Sequence, residues 1–548
     1  MFTESKKCLA VSLSVLILSA CGGGGGGASS SPSTQGGQTP APTPAPTPAP
    51  TPSTSQWQSG VFPAASEFIA KCAVPRTTTD IDGNPYPDTQ GSLFDEQMWL
   101  RSWSNDTYLW YDEIEDQDPA NYATAQAYFD ILKTNETTAS GSEKDNFHFF
   151  QSTEEYESFS QSGSSTDYGI EWVFLRSSPP RNIIAGVVQP NSPAALAGIE
   201  RGDKLLQIDA ESAIDGGNVD FLNSALFPSE EGQSYNFLVE KVDGSELNAN
   251  LTSTTTVQSF VNNVQVVDTD AGKVGYMRFD GFQRPGQDPL IDGFQQFVDE
   301  NVTDLVLDLR YNGGGLIAMS SQLAYMIAGP AQTTDRVYTL TQFNSKSATT
   351  NPVTGDTIRA TPFYNREIDW DAGQFTDNIL PSLNLTRVFV ITTDGTCSAS
   401  ESLINGLRGI DVEVIQIGGT TCGKPYGFYP TDNCGTTYFT IQFQSVNAKG
   451  FGEYAEGFSP VASPAFEDQL PGCTVADDYT TALGDTSEDM FATALERLTT
   501  GNCPTVAGKS IEVNNRATND EFSVFDTRFR SFIRENGIDT PIAEPGAQ

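Results

Sequence analysis

Between residues 273 and 419 the chain alternates apolar runs with amphipathic ones, and that alternation restricts the fold more than any other feature. KVGYMRF (273–279), DLVLDLR (304–310), TRVFVITT (386–393) and VEVIQIGG (412–419) read as strands, with DLVLDLR and TRVFVITT apolar enough to be fully buried. Between them PLIDGFQQFVDEN (289–301) reads as an amphipathic helix, the stretch after Gly315 as an apolar helix through about Ala328, and DGTCSASESLINGLRG (394–409) as a turn feeding a helix. Strands that alternate with helices make an α/β unit. Neighbouring strands of such a unit carry their C-terminal ends, and the loops that follow, to a common edge.

The chain opens differently. Residues 1–20 hold Lys6 and Lys7, an apolar stretch from Leu9 to Leu18, and Ser19-Ala20 before Cys21. The apolar run is too short for a membrane span and reads as an export signal. LSAC (18–21) resembles a bacterial lipoprotein signal, which implies lipidation of Cys21; Gly22 after it implies the outer membrane, facing the periplasm or the cell surface. Residues 21–56 follow with six consecutive glycines and APTPAPTPAPTP and carry no charge, a flexible then semi-rigid tether. Residues 57–165 read as a helical N-terminal domain, with Met98, Trp99, Trp103, Leu109 and Trp110 forming an apolar stripe and a second helix at 122–133.

Residues 166–256 shift to short β-rich runs: IEWVFL (170–175), NIIAGVV (182–188), DKLLQID (203–209) and YNFLVEKV (235–242). NSPAALAGIERGDKLLQID (191–209) resembles the corresponding stretch of a PDZ domain, and Tyr168-Gly169-Ile170-Glu171 stands where its carboxylate-binding loop belongs. Such domains add a peptide as an extra strand and hold its C-terminal carboxylate on backbone amides. The expected division is then signal (1–20), linker (21–56), helical domain (57–165), PDZ domain (166–256), α/β domain (257–505) and an acidic tail (506–548).

Charge and composition remove several functions. Asp and Glu number 70 against 30 Lys and Arg, a net charge of −40, which disfavours a nucleic-acid partner. One histidine, His148, precludes a multi-histidine metal site and any Ser-His-Asp triad that does not recruit it. Asp80-Ile81-Asp82-Gly83-Asn84 misses calcium-loop spacing. Gly418 to Lys424 spells G-x-x-x-x-G-K, but Pro425 follows where a phosphate loop needs Ser or Thr and a helix. No cofactor is expected.

Two loops carry chemistry. Ser398 stands where the strand 386–393 turns into a helix, with Glu401 three residues on as in a capping box. Its hydroxyl faces either that capping role or nucleophilic attack beside free helix amides. Lys424 follows the next strand. A serine without histidine needs another base, and a lysine serves once it has lost its proton.

With the PDZ segment in front, the chain resembles the carboxyl-terminal-processing (tail-specific) serine peptidases over roughly residues 95–500. LVLDLRYNGGG (305–315), CSASE (397–401) and Gly423-Lys424 match three of the family's motifs in order. The resemblance implies a multidomain α+β protein with a helical front end, a β-barrel-like PDZ domain and a crotonase-like α/β protease core. It implies Ser398 as nucleophile, Lys424 as general base, and the amides of Gly314 and Ala399 as oxyanion hole. It also implies polypeptide substrates with exposed C-termini, and it leaves room for an activating lipoprotein partner. One departure is Phe428, where many members have a glutamine that orients the dyad; Thr421 or Gln442 are candidates for that task. An inert binder of protein tails or small apolar ligands is the alternative, and His148 with Glu401 in a tricorn-like mechanism is a third. An exported chain is free to form disulfides, and Cys422–Cys434 and Cys473–Cys503 are the pairings expected from short loops, with Cys397 beside the nucleophile an unusual feature.

Overall fold

The computed structural model describes residues 57–138 and 140–504, all within one unit that starts at Trp57. The expectations for the signal, Cys21, the tether and the tail 506–548 lie outside the described residues. Among those described, no helix is long and apolar enough to cross a membrane.

The apolar runs of the second half form a seven-stranded sheet in the order Val261–Thr269, Gly272–Phe279, Asp304–Asp308, Arg387–Thr392, Glu413–Gly418, Gln469–Thr474, Ser459–Val461. The first pair is antiparallel and every later pair parallel. One face of the sheet presents Met277, Leu305, Leu307, Val388 and Val390 to the helices Gln287–Asp299, Ile317–Ala328 and Ala399–Gly409. The other presents Tyr276, Val306, Phe389, Ile391 and Ile417 to Met490, Phe491 and Leu498 of the helix Asp489–Thr500. Helices on both faces explain why these strands carry no polar face.

The PDZ unit has its own core. Its sheet runs Glu246–Thr252, Ser234–Glu240, Lys204–Ile208, Asn182–Val188, Ile170–Arg176, and the helix Val219–Leu226 buries Leu222, Ala225 and Leu226 against Trp172, Phe237 and Val239. The strand Ile170–Arg176 ends that sheet, with Asn182–Val188 on its inner side.

Residues 57–165 carry the helices Leu93–Thr107, Ala125–Phe129 and Thr153–Ser162. The helix Leu93–Thr107, capped by Ser92, is buried from Gln97 through Ser104, on all sides and not along one stripe. Leu109 and Trp110 lie beyond its end and pack instead into a small cluster with Tyr108, Phe147, Cys397 and Ile441. The second helix spans only Ala125–Phe129. Phe149–Ser152 is a strand that pairs with Thr436–Phe439, so the front end is built into the peptidase-like half.

The disulfides are Cys72–Cys434, Cys397–Cys422 and Cys473–Cys503. The expected Cys422–Cys434 pairing is thereby corrected. Cys422 sits opposite the end of the neighbouring strand's loop, at Cys397, while Cys434 is in the turn that the N-terminal segment crosses at Cys72. Proximity in the fold, not loop length in sequence, selects the partners.

Candidate active site

The strand Arg387–Thr392 and its parallel neighbour Glu413–Gly418 end together, with Thr392 opposite Gly418 as the last paired residues. The loop leaving the first strand carries Ser398; the loop leaving the second carries Lys424. Ser398 has φ +52° and ψ −102° at the entrance of the helix Ala399–Gly409. That conformation is costly for a residue with a Cβ, and such strain is concentrated at functional sites. Both residues are buried, Ser398 at 2% exposure and Lys424 at 1%.

One side chain joins the two loops. Glu401 Oε2 accepts the backbone N–H of Ser398 at 2.9 Å and that of Lys424 at 2.8 Å. Its Oε1 accepts Gly423 N–H at 2.8 Å and the Thr421 hydroxyl at 2.5 Å. Burial pushes the Glu401 carboxyl above the usual carboxylate range, and the bonds from Thr421, Lys424, Ser398 and Gly423 oppose that shift. The disulfide Cys397–Cys422 adds a covalent tie between the same loops, its Cα atoms 5.2 Å apart.

Aromatic rings surround the lysine head. Lys424 Nζ lies 4.3 Å from the centre of the Phe428 ring and 5.0 Å from that of Phe147. Phe428 therefore faces Lys424 as a π-surface, where an amide would have offered a hydrogen bond. The two polar candidates serve other partners: Thr421 binds Glu401 and accepts Phe458 N–H at 2.7 Å. Gln442 accepts Tyr429 N–H at 2.7 Å and reaches the Thr107 hydroxyl.

The glycine loop after Asp304–Asp308 abuts the Ser398 turn through Asn312, whose carbonyl accepts Cys397 N–H at 3.1 Å and the Ser400 hydroxyl at 3.0 Å. Gly314 has φ +113° and Gly315 φ +129°. A Cβ at Gly315 would stand 2.3 Å from Phe282 O, so the loop's course requires glycine there. Ala399 N–H opens the helix at Ser398. The Gly314 N–H, expected to face an oxyanion, donates instead to Asn312 Oδ1 at 2.8 Å.

Of the carboxylate-loop residues in the PDZ unit, Tyr168 O accepts Ala194 N–H at 3.1 Å, Gly169 N–H donates to Asp167 Oδ1 at 2.7 Å, and Ile170 and Glu171 pair with Val188 and Val187. Arg201 reaches from this unit into the peptidase-like half, donating to the Tyr311 hydroxyl at 2.6 Å and to Asp477 at 2.7 Å. Tyr311 belongs to the same glycine loop.

His148 is held elsewhere. Its Nε2 faces Phe129 O at 2.7 Å and its Nδ1 the Thr440 hydroxyl at 3.1 Å, which commits both ring nitrogens and corrects the tricorn-like reading. Cys72-Glu96-Cys434 and Cys397-Glu401-Cys422 have the spacing of metal ligands, but in each the two sulfurs are bonded to one another. Sequence reasoning saw Glu401 as a helix cap and missed its reach to residues 421–424. The signal was its place in CSASE; nothing local revealed the second loop. Phe147 and Arg201 gave no signal at all.

Residues 273–430 match the model for peptidase family S41, residues 95–149 that for the peptidase S41 N-terminal domain, and residues 184–222 that for a PDZ domain. A carboxyl-terminal-processing protease of Picosynechococcus sp. is 26% identical over 208 residues, covering 37% of this chain and 48% of that relative. Carboxyl-terminal-processing peptidase 1, chloroplastic, of Arabidopsis thaliana is 27% identical over 239 residues, covering 43% of this chain and 42% of its own. The chain spans about half the length of the curated relatives it matches. Among solved structures, a Bacteroides fragilis protein assigned to the S41 proteases superposes with a TM-score of 0.54 at 20% identity, over 76% of this chain and 98% of that one.

Proposed function

We propose that this chain, which carries the core of peptidase family S41 with an embedded PDZ domain, is an exported serine endopeptidase that cuts polypeptides with a Ser398–Lys424 dyad. The observation that carries the reading is the single carboxylate of Glu401, which takes the backbone N–H of both residues at once. An arrangement that spends a buried charge on aligning a strained serine with a buried lysine is costly unless the two act together.

In this mechanism Lys424, in its neutral form, takes the proton from Ser398 Oγ as the oxygen attacks the scissile carbonyl carbon. The tetrahedral oxyanion settles on the amides of Ala399 and Gly314, the latter turning from Asn312 Oδ1 to the substrate. Collapse breaks the C–N bond, Lys424 returns the proton to the leaving amine, and water then resolves the acyl-enzyme by the same path in reverse. The unstructured C-terminal end of the substrate joins the open edge of Ile170–Arg176, its carboxylate at the loop 168–171. Three disulfides support an oxidising compartment, and with the LSAC signal they favour a lipid-anchored place in a bacterial envelope.

A second reading, a protein that binds tails without cutting them, is favoured by Phe428 against Lys424 and by the committed Gly314 N–H. The test compares the full chain with Ser398→Ala and Lys424→Ala on an unfolded polypeptide with an apolar C-terminus, fragments being read by mass spectrometry. Cleavage by the native chain alone is expected, with each variant slower by about 10³-fold or more. Tail binding without cleavage by any form would establish the second reading.

A further inference from the structure

The two active-site loops leave the ladder after Thr392 and Gly418. Beyond that point they are tied by Cys422 N–H to Thr396 O at 3.0 Å, by Glu401, and by one covalent bond. That bond joins the residue before Ser398 to a residue two before Lys424. The other two disulfides lie away from both loops, tying the N-terminal segment to the turn at Cys434 and the strand Gln469–Thr474 to Cys503.

We propose that Cys397–Cys422 is a positioning cross-link for the dyad, and that reducing it slows catalysis while leaving the PDZ unit able to hold a tail. The inference rests on the Ser398–Lys424 reading. Its physical basis is packing. The bond is seated in the cluster of Tyr108, Phe147 and Ile441, whose Phe147 ring also contacts the lysine head. Opening the bond removes the covalent limit on how far the loops can separate. That loss is shared by two free thiols, which cannot approach as closely as bonded sulfurs, and by two alanines, which leave the packed space between the loops unfilled. Displacing a catalytic group by about 1 Å costs on the order of 100-fold in rate.

The chemistry balances with a dithiol as reductant. Cys397 is buried and Cys422 half-buried, so the attacking thiolate meets Cys422 Sγ, forms a mixed disulfide there and expels Cys397 as thiolate. The reductant's second thiolate then displaces Cys422 and closes its own disulfide. Two electrons and two protons pass to the protein, which ends with two thiols. A chain that has not met an oxidising compartment would thus cut more slowly, which spares the proteins of the cell that makes it.

The experiment titrates the full oxidised chain with a dithiol and maps each cysteine by alkylation and mass spectrometry. It reads kcat and KM on an unfolded polypeptide and tail-peptide binding by anisotropy. Expected is a fall in kcat of about 10- to 100-fold in step with alkylation of Cys397 and Cys422, with KM and tail affinity unchanged. Cys397→Ala/Cys422→Ala is expected to start at the low rate and ignore the dithiol, while Cys473→Ala/Cys503→Ala keeps the native response. A double variant with native kcat, or a loss that tracks Cys72 and Cys434 alone, would overturn the proposal. Should the double variant fail to fold, the titration of the native chain decides. If the oxidised chain shows no cleavage that depends on Ser398 and Lys424, the dyad reading fails by itself. The cross-link is then judged by hydrogen exchange: faster exchange at 396–401 and 421–425 on reduction upholds it as the tie between the loops, and unchanged exchange rejects it.

Discussion

At Glu401 each carboxylate oxygen accepts two hydrogen bonds, and all four come from residues of the Ser398 turn or the Lys424 loop. Glutamine has the same shape but one end that only donates. Whichever way the amide is turned, its NH₂ meets at least one backbone N–H: Ser398 and Lys424 on one side, Gly423 on the other. A buried donor left facing a donor costs about 1–3 kcal/mol, and a tenfold rate change needs about 1.4 kcal/mol. Glu401→Gln is therefore expected to lower kcat by about 5- to 150-fold with tail binding intact; a variant with native kcat would remove Glu401 from the alignment of the site. That the loops of Ser398 and Lys424 meet was legible, because each follows one strand of a parallel pair. Phe147 was not, since an aromatic in the run 147–150, Phe-His-Phe-Phe, says nothing about which loop it will cover. Nor was the loss of the Gly314 N–H to Asn312, which is set by a side-chain rotamer.

Two helical glycines separate propensity from packing. A Cβ on Gly406, in the helix that starts at Ser398, would stand 2.3 Å from Cε2 of Tyr338. That ring is fully buried and its hydroxyl is bonded to Ser320 at 2.5 Å, so it has nowhere to go. A Cβ on Gly293, in the helix Gln287–Asp299, would stand 2.3 Å from Met277 Cε, the free end of a flexible side chain. Alanine gains about 1 kcal/mol over glycine in a helix interior, and overpacking a filled core costs about 1–3 kcal/mol. Gly406→Ala is expected to be net destabilising in urea titrations and Gly293→Ala close to neutral; equal effects would show that packing does not decide the sign. Elements of this central sheet were readable from sequence because strands buried on both faces are continuous apolar runs. The strands Val337–Phe343 and Phe443–Val446, and the hairpin Arg366–Asp369 with Gln374–Ile379, were not. All alternate polar with apolar residues; the first two owe their pairing to each other across about a hundred residues, and the hairpin strands are short and largely solvated. The helix at Leu93 was readable but its end was not: Tyr108 turns to an extended conformation, ψ 136°, and donates its hydroxyl to buried Asp145, a tertiary bond that local periodicity does not encode.

The PDZ unit and the peptidase core meet in a buried network of charge. Arg201 and Arg310 both bind Asp477 Oδ1 at 2.7 Å, Arg310 also pairs with Glu488 and Asp308, and the Tyr311 hydroxyl donates to Asp477. A Cβ on Gly202 would lie 2.1 Å from Tyr479 O, so the backbones approach as closely as glycine permits. Burial by itself would raise the Asp477 carboxyl, but Arg310 and Arg201 outweigh it and hold the group below the usual carboxylate range. A carboxylate depressed in the folded state stabilises the fold at pH values above its unfolded pKa, about 3.9 for Asp. That contribution is lost as pH falls through the lower, folded value. Asp477→Asn leaves two buried guanidinium groups short of a counter-charge, and breaking such a pair costs about 3–5 kcal/mol. The gap in unfolding free energy between native chain and variant is expected to hold steady from pH 8 down to about 5 and to narrow below about pH 4. Urea titrations across that range measure it. A gap that widened on acidification would mean that Asp477 is protonated in the native state and that the junction is held by hydrogen bonds alone.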